Sequence, residues 1–482
     1  MRHSRHDPPI ASVPDINTNG VWGRVAAIAA TLLLVAGCER PVAPAIAPMP
    51  PPAAAQAEPP AEFAFPPPAA GGSLRVDIAA ARGDERRTGD LLAPFYHRLS
   101  LLQAGRANRL VILQIGDSHT AGGIIGERLR ELMQAQFGAA GRGMMVAGRP
   151  FNGIRQTDIK LSEVGKWQHF GSLKQDAQGP FGLTGYRARS RAVNSALVLE
   201  STDERGFDYV GVEFVRAPGH GMLEVLVDGR PVRRVATDGR RVEGQSFTLP
   251  VPTGSRELRL VARDRQPVEI LSWTVERRER GVVVETHGVS GAMADIVTRW
   301  DPQILARELR ERDPALIILA YGTNESVKYD LDLARYDVML RDVLRQFRAA
   351  APNAALMLIG PPDVNQAIGC GRNGSANATV CVPASQSRGD MCRWSPPPLL
   401  DGVRETQMRA ALAERAYYWD WWALMGGICG MHRWVVNDPP FARADHVHMN
   451  LAGYRVTAEA LYETLMRGYA AWRRPPAPRR GS

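Results

Sequence analysis

The sequence predicts an α/β domain on a parallel sheet, interrupted by an inserted all-β sandwich. Short apolar runs (Arg109–Ile115, Ala315–Ala320, Ala355–Ile359) are each followed by a glycine-bearing turn and then by helical spacing. That is the pattern of strand–turn–helix units whose strands are buried on both faces. Between about Asn152 and Val283 this pattern stops, and alternating stretches with turn signals replace it. The α/β pattern then resumes with Val282–Thr286.

The elements follow in chain order. Arg2, Arg5 and Arg24 precede the apolar run Val25–Val35, which ends in Val35-Ala36-Gly37-Cys38. Such a run falls well short of the ~20 residues of a membrane-spanning helix. Basic lead, short apolar core and small exit residues describe a secretory signal over residues 1–37. Residues 38–72 are dominated by Pro and Ala and cannot build a core, so they read as an extended tether. The α/β domain is expected in two parts, 73–151 and 283–475, around a β-sandwich at 152–282 and ahead of a disordered tail at 476–482. Its first part carries a helix over Leu91–Ala104, the strand from Arg109, and a helix over Ile124–Phe137. In the module, Asp228-Gly229 between Leu223–Val227 and Pro231–Val235 marks a hairpin, followed by strands at Phe247–Val251, Glu257–Ala262 and Val268–Val275. The second part adds a helix over Leu333–Ala350, another bearing Val403, Met408 and Leu412, a strand at Tyr417–Asp420, and a last helix from Ala452 to Tyr469.

The formal charge is +9, spread along the chain as arginine rather than clustered. A generally basic surface favours anionic polymers or head groups without specifying one. No aromatic-basic interleaving or zinc-finger pattern accompanies it, which argues against nucleic acid. Besides Cys38, the chain has Cys370, Cys381, Cys392 and Cys429, all in one Gly/Pro/Ser-rich stretch. In an exported protein four cysteines read as two disulfides, with three connectivities open.

Three segments place polar residues directly after buried strands, where open parallel sheets bind ligands. Gly116-Asp117-Ser118-His119 offers a hydroxyl on a tight turn at the start of a helix. Tyr321-Gly322-Thr323-Asn324-Glu325 offers a side-chain amide. Asp445-His446-Val447-His448 puts an acid three residues before a histidine. Singly, each has an ordinary explanation as a turn or a helix cap. His446 and His448 could suggest a metal, but alternating strand positions point opposite ways and no acid or cysteine cluster completes a site. Neither metal nor cofactor is expected.

Together these segments resemble the SGNH hydrolases of the GDSL family. Gly116-Asp117-Ser118 matches that family's first block, Gly291 the second, Gly322-Thr323-Asn324-Glu325 the third, and Asp445 with His448 the fifth, followed by the family-like Gly453-Tyr454. The resemblance implies a three-layer α/β/α fold. It also implies a catalytic triad of Ser118, His448 and Asp445, and an oxyanion hole from the Ser118 and Gly291 amides and the Asn324 side chain. His119 stands where leucine is usual; with a β module ahead of the second block, this is similar to the periplasmic peptidoglycan O-acetylesterases, whose inserted module looks like a carbohydrate-binding domain. The implied activity is removal of acetyl groups from a cell-envelope polysaccharide, with an O-acetyltransferase or an inert wall-binding lipoprotein as alternatives. Trp167, Phe170, Tyr186 and Trp273 are the few aromatic platforms the module could offer a sugar, some of them necessarily core, and a lid or spacer that only shapes the cleft is the alternative reading of the module. Cys38 resembles the acylated cysteine of bacterial lipoproteins, and Glu39 after it, rather than aspartate, favours the outer over the inner membrane. A lipid-anchored periplasmic monomer acting on an acetylated glycan is the resulting expectation.

Overall fold

The computed structural model describes residues 77–82, 89–151, 156–174, 176–370, 381 and 392–473. The expected signal segment, Cys38, the tether and the tail lie outside the described residues.

Five parallel strands form one sheet in the order Gly281–Gly288, Arg109–Gly116, Pro314–Ala320, Ala355–Ile359, Tyr417–Trp419. Their apolar runs are buried on both faces because helices cover each side. Helices Ala93–Gln103, Ile124–Phe137 and Leu451–Arg473 pack together on one face. Helices Pro302–Arg312, Leu333–Ala350 and Leu400–Ala413 cover the other. On that second face alternate strand residues (Leu113, Ile115, Ile317, Leu319, Leu356, Leu358) share a core with Leu309, Leu340, Leu344, Phe347 and Val403. The fold is three-layer α/β/α, as the resemblance implies.

The β module is a sandwich of two antiparallel sheets enclosing a core of Leu197, Leu199, Val212, Phe214, Val225, Leu260, Ile270 and Trp273. The expected hairpin joins Met222–Val227 to Arg230–Ala236, with Asp228 and Gly229 at φ 49° and 74°, the left-handed pair a tight hairpin turn demands. One detail departs from the sequence reading. Strand Gly141–Val146, counted above with the first part of the α/β domain, pairs antiparallel with module strand Val268–Glu276. Gly141 and Gly143, at φ 117° and 81°, break up the apolar alternation that marks the other strands. Trp273 is fully buried in the sandwich core, and Trp167 packs against it, so neither is a free platform.

Buried charges join module and parallel sheet. Arg312, ending its helix, pairs with Glu276 of the module and Glu285 of the sheet, its Nε lying 2.8 Å from Glu285 Oε1. Arg109 reaches Glu276 at 2.7 Å, and Glu285 Oε1 accepts the Met144 amide at 2.8 Å. Burial pushes the Glu276 carboxyl upward, but Arg312 and Arg109 outweigh it and hold it below the ordinary range. A carboxyl held down in the folded state contributes stability above its unfolded pKa and loses it as pH falls through the folded one. Replacing Arg312 with methionine leaves two buried carboxylates short of their partner and is expected to cost about 3–5 kcal/mol at neutral pH. The deficit should shrink below pH ~4.5, where carboxyls take up protons. Denaturant unfolding of both proteins at neutral and acid pH checks this; a deficit independent of pH would rule the charge network out as its source.

Candidate active site

Strand Arg109–Gly116 ends in register with its neighbours: Gly116 faces Gly288 on one side and Ala320 on the other. The Val289 amide donates to Gly116 O at 2.9 Å, and the Asp117 amide to Ala320 O at 3.3 Å. Three polar turns therefore leave the sheet side by side. A side chain at Gly116 would put its Cβ 2.2 Å from Thr120 Oγ1 and 2.5 Å from Ala320 O, so only glycine fits beneath the turn. Asp117 then caps the one-turn helix Ser118–Ala121, its Oδ1 accepting the His119 amide at 3.0 Å. Ser118 is the first residue of that turn and is half-buried.

The late Asp-x-x-His segment reaches the same point. Ser118 Oγ lies 3.0 Å from His448 Nε2, and His448 Nδ1 lies 3.0 Å from Asp445 Oδ2. An ionised carboxylate only accepts, so Nδ1 carries the ring proton and Nε2 presents its lone pair to the serine hydroxyl. The other carboxylate oxygen accepts the amides of Val447 and His448, both at 2.9 Å. Partial burial tends to raise the Asp445 pKa, but these amides and the imidazole outweigh it, and the group is held below the ordinary range. The loop is closed at its base by Arg443, whose amide donates to His448 O at 2.8 Å.

The other two strand ends face this cluster. Val289–Ala292 forms a turn with Gly291 exposed at φ 81°. Asn324 Nδ2 donates to Ala292 O at 2.8 Å, which fixes the amide and leaves its second hydrogen for a ligand. Glu325 fastens the two turns together: one oxygen accepts the Ala294 amide at 2.8 Å, the other the Gly322 amide at 3.0 Å. Burial raises the Glu325 carboxyl to about 7 against these hydrogen bonds. Gly322 sits at φ 127°, where its Cβ would meet Pro361 and the Gln407 amide under 3 Å away.

His119 lies behind the relay rather than in it. It is buried, its Nδ1 is 3.0 Å from the Tyr454 hydroxyl, and its ring packs 5.2 Å from that of His448 and 5.1 Å from that of Trp421. Burial, then the neighbouring His448, lowers its pKa to about 3, so it stays neutral. Burial raises Asp117 to about 7. His446 belongs to a turn, not a strand, at φ 56°; its side chain is directed at His432 and Trp394. The structure thus brings Ser118, His448 and Asp445 together and sets the turns bearing Gly291 and Asn324 beside them. Among the described residues no group of histidines, cysteines and acids is arranged to hold a metal. Cys381 is disulfide-bonded to Cys429, and Cys370 and Cys392 are backbone partners in a two-stranded ladder. Sequence reasoning missed Glu325 as the tie between two turns, because nothing in a Thr-Asn-Glu turn reveals that its carboxylate is buried.

The GDSL-like lipase/acylhydrolase family model matches residues 254–456. That stretch holds Gly291, Asn324, Asp445 and His448, while Ser118 precedes it across the β module. No curated protein sequence matches the chain. Among solved structures, a peptidoglycan O-acetylesterase is 25% identical, with a TM-score of 0.64 over 82% of this chain and 99% of its own. More distant are a Bacillus subtilis protein (13% identical, TM-score 0.30, 62% of this chain and 88% of that one) and a family two carbohydrate esterase from Clostridium thermocellum in complex with cellohexaose (11%, 0.25, 64% and 100%). At those TM-scores neither bears on this chain. An acylhydrolase family model over residues 254–456, and a neighbour matched over 82% of this chain, support a carboxylic ester hydrolase that is similar to the SGNH/GDSL hydrolases and resembles the peptidoglycan O-acetylesterases.

Proposed function

We propose that this esterase removes O-acetyl groups from peptidoglycan through an acetyl-enzyme on Ser118, in the lipid-anchored periplasmic setting that the Val25–Cys38 segment suggests. The observation that carries the mechanism is the relay of two 3.0 Å hydrogen bonds, Ser118 to His448 and His448 to Asp445. A serine hydroxyl attacks well only as its proton leaves. His448 Nε2 takes that proton while Ser118 Oγ bonds to the acetyl carbon, and Asp445 stabilises the imidazolium that forms. The oxyanion falls to the amides of Ser118 and Gly291 and to the second hydrogen of Asn324. Collapse expels the sugar hydroxyl, which takes the proton back from His448. Water, deprotonated by the same imidazole, then attacks the acetyl-serine, and acetate leaves with Ser118 restored. Peptidoglycan as the acetyl donor is supported by the neighbour that follows 82% of this chain.

Ser118→Ala and His448→Ala should each abolish nearly all hydrolysis of an aryl acetate, and the double variant should lose little more, since the two groups act as one unit. A folded Ser118→Ala protein with wild-type turnover would remove the nucleophile. Asn324→Ala should lower kcat by ~100- to 1,000-fold, about 2.7–4 kcal/mol of transition-state stabilisation, with the melting temperature little changed. For the substrate, acetate release should be fastest from O-acetylated peptidoglycan when compared with acetylated xylan and acetylated alginate. A clear preference for either plant or algal polymer defeats the peptidoglycan reading, and transfer of acetyl to an added oligosaccharide in place of acetate release defeats the hydrolase reading.

A further inference from the structure

The relay uses His448 and leaves His446, two residues earlier, without a chemical role. Yet His446 is the more constrained of the two. It is 4% exposed, and its backbone lies at φ 56°, in the left-handed region that only a few per cent of non-glycine residues occupy. Trp394 stacks on one face of its ring, with centroids 3.6 Å apart and planes 12° from parallel. Its Nδ1 is 3.1 Å from Ala444 O, a pure acceptor, so Nδ1 carries the proton. Nε2 is then the acceptor in the 3.0 Å contact with His432 Nδ1, and His432 is the donor. The His446 carbonyl in turn accepts the Asn365 amide at 2.9 Å. Trp394 and His432 are linked through one backbone hydrogen bond and one disulfide. The Cys381 amide donates to Trp394 O at 2.9 Å, while its sulfur is bonded to Cys429, which opens helix Gly430–Val436 bearing His432.

We propose that Trp394 and His432, joined through the Cys381–Cys429 disulfide, clamp His446 and thereby position Asp445 and His448 for the reaction. His446 lies between the acid and the base of the relay, so any relaxation of its left-handed backbone must move one or both. The clamp opposes that relaxation from two sides: a stacked face and a directional hydrogen bond. The three are positioning residues, since none touches the reacting atoms. A clamp of this kind acts on the chemical step and hardly at all on substrate binding, because what it fixes is the alignment of the base, and misplacement by about 1 Å can cost on the order of 100-fold.

The inference rests on the proposed Ser118–His448–Asp445 relay, and the test keeps the two separable. Steady-state hydrolysis of an aryl acetate is measured for the full chain and for Trp394→Ala, Trp394→Phe, His432→Ala, His432→Asn and Cys381→Ser/Cys429→Ser, with Ser118→Ala as control and thermal melting to confirm folding. The alanine variants and the disulfide-free variant are expected to lose about 10- to 100-fold in kcat with KM changed less than about 2-fold. Phenylalanine restores a stacking face and asparagine restores a donor near the Nδ1 position, so both should recover most of the loss. Combining Trp394→Ala with His432→Ala should cost little more than either alone, because both act on one ring. The clamp is overturned if folded alanine variants keep wild-type kcat, or if the conservative variants fall as far as the alanines. Should the alanine variants not fold, the disulfide-free variant decides alone: wild-type kcat in that folded protein overturns the clamp. An active Ser118→Ala protein overturns the relay itself, a different result from any of these.

Discussion

A hydrogen bond between two side chains 330 residues apart, Ser118 Oγ to His448 Nε2, governs what the rest of this molecule must do. Its ends arrive from opposite directions. Ser118 follows the second of the five strands, on a turn that only Gly116 allows, because a Cβ there would lie 2.2 Å from Thr120 Oγ1 and 2.5 Å from the neighbouring strand's Ala320 carbonyl oxygen. His448 comes from an exposed loop late in the chain, with no strand of the sheet directly beneath it. The rigid partner is made by strand register and the loop partner by local hydrogen bonds, from Arg443, Val447 and His448 amides and around His446. A 3 Å contact between such unequal supports is stable only if the weaker one is braced. That is the physical sense in finding a stacked tryptophan, a histidine pair and a disulfide around the loop that carries Asp445 and His448.

The inserted module fits the same logic. It is spliced between two strands, Arg109–Gly116 and Gly281–Gly288, that are immediate parallel neighbours from Gly116↔Gly288 down to Arg109↔Gly281. The chain therefore leaves the sheet after one strand and its helix and returns beside that strand, so the module costs the sheet no register. Part of its attachment lies at the far end of these strands from Ser118, where Arg109, Glu276, Glu285 and Arg312 interlock. Part lies nearer Ser118, where Phe181 and Leu183 join the core of the sheet and Trp300 Nε1 donates to Ser172 Oγ at 3.1 Å. This also explains why the family model begins only at residue 254: an insertion of this length separates the nucleophile's block from the other three.

How much was legible in the sequence follows from the kind of force that sets each feature. The parallel strands and flanking helices are written in apolar periodicity, and the helices at Ile124–Phe137 and Leu333–Ala350 have the bounds their spacing indicates. The polar turns were legible because they sit directly after those strands. Strand Gly141–Val146 was not, since its glycines at positive φ erase the alternation and its place is set by pairing with a strand more than 120 residues later. Nor could periodicity show that His446 turns away from His448: a single left-handed residue reverses the direction that strand geometry implies. Disulfide pairing, the burial of Trp273 and the reach of Glu325 depend on tertiary neighbours and leave no local trace.

Burial around Ser118 completes the electrostatic picture. His119 is pressed down to about 3 and stays neutral beside His448, so it adds no cation that would oppose imidazolium formation. Asp117 and Glu325 are pushed up to about 7, so neither holds its charge as readily as Asp445, which backbone amides keep ionised. His448 thus has a dependable carboxylate hydrogen-bonded to it. That arrangement has a thermodynamic cost. A carboxyl whose folded pKa is raised leaves stability intact below its unfolded value, near 4, and withdraws it as pH rises toward 7, because the unfolded chain ionises first. Asp117 and Glu325 both act in this direction, over the range where an esterase base must shed its own proton to work. Glu276 at the module joint acts in the opposite sense, its contribution complete above the carboxylate range and lost as pH falls through its lowered pKa.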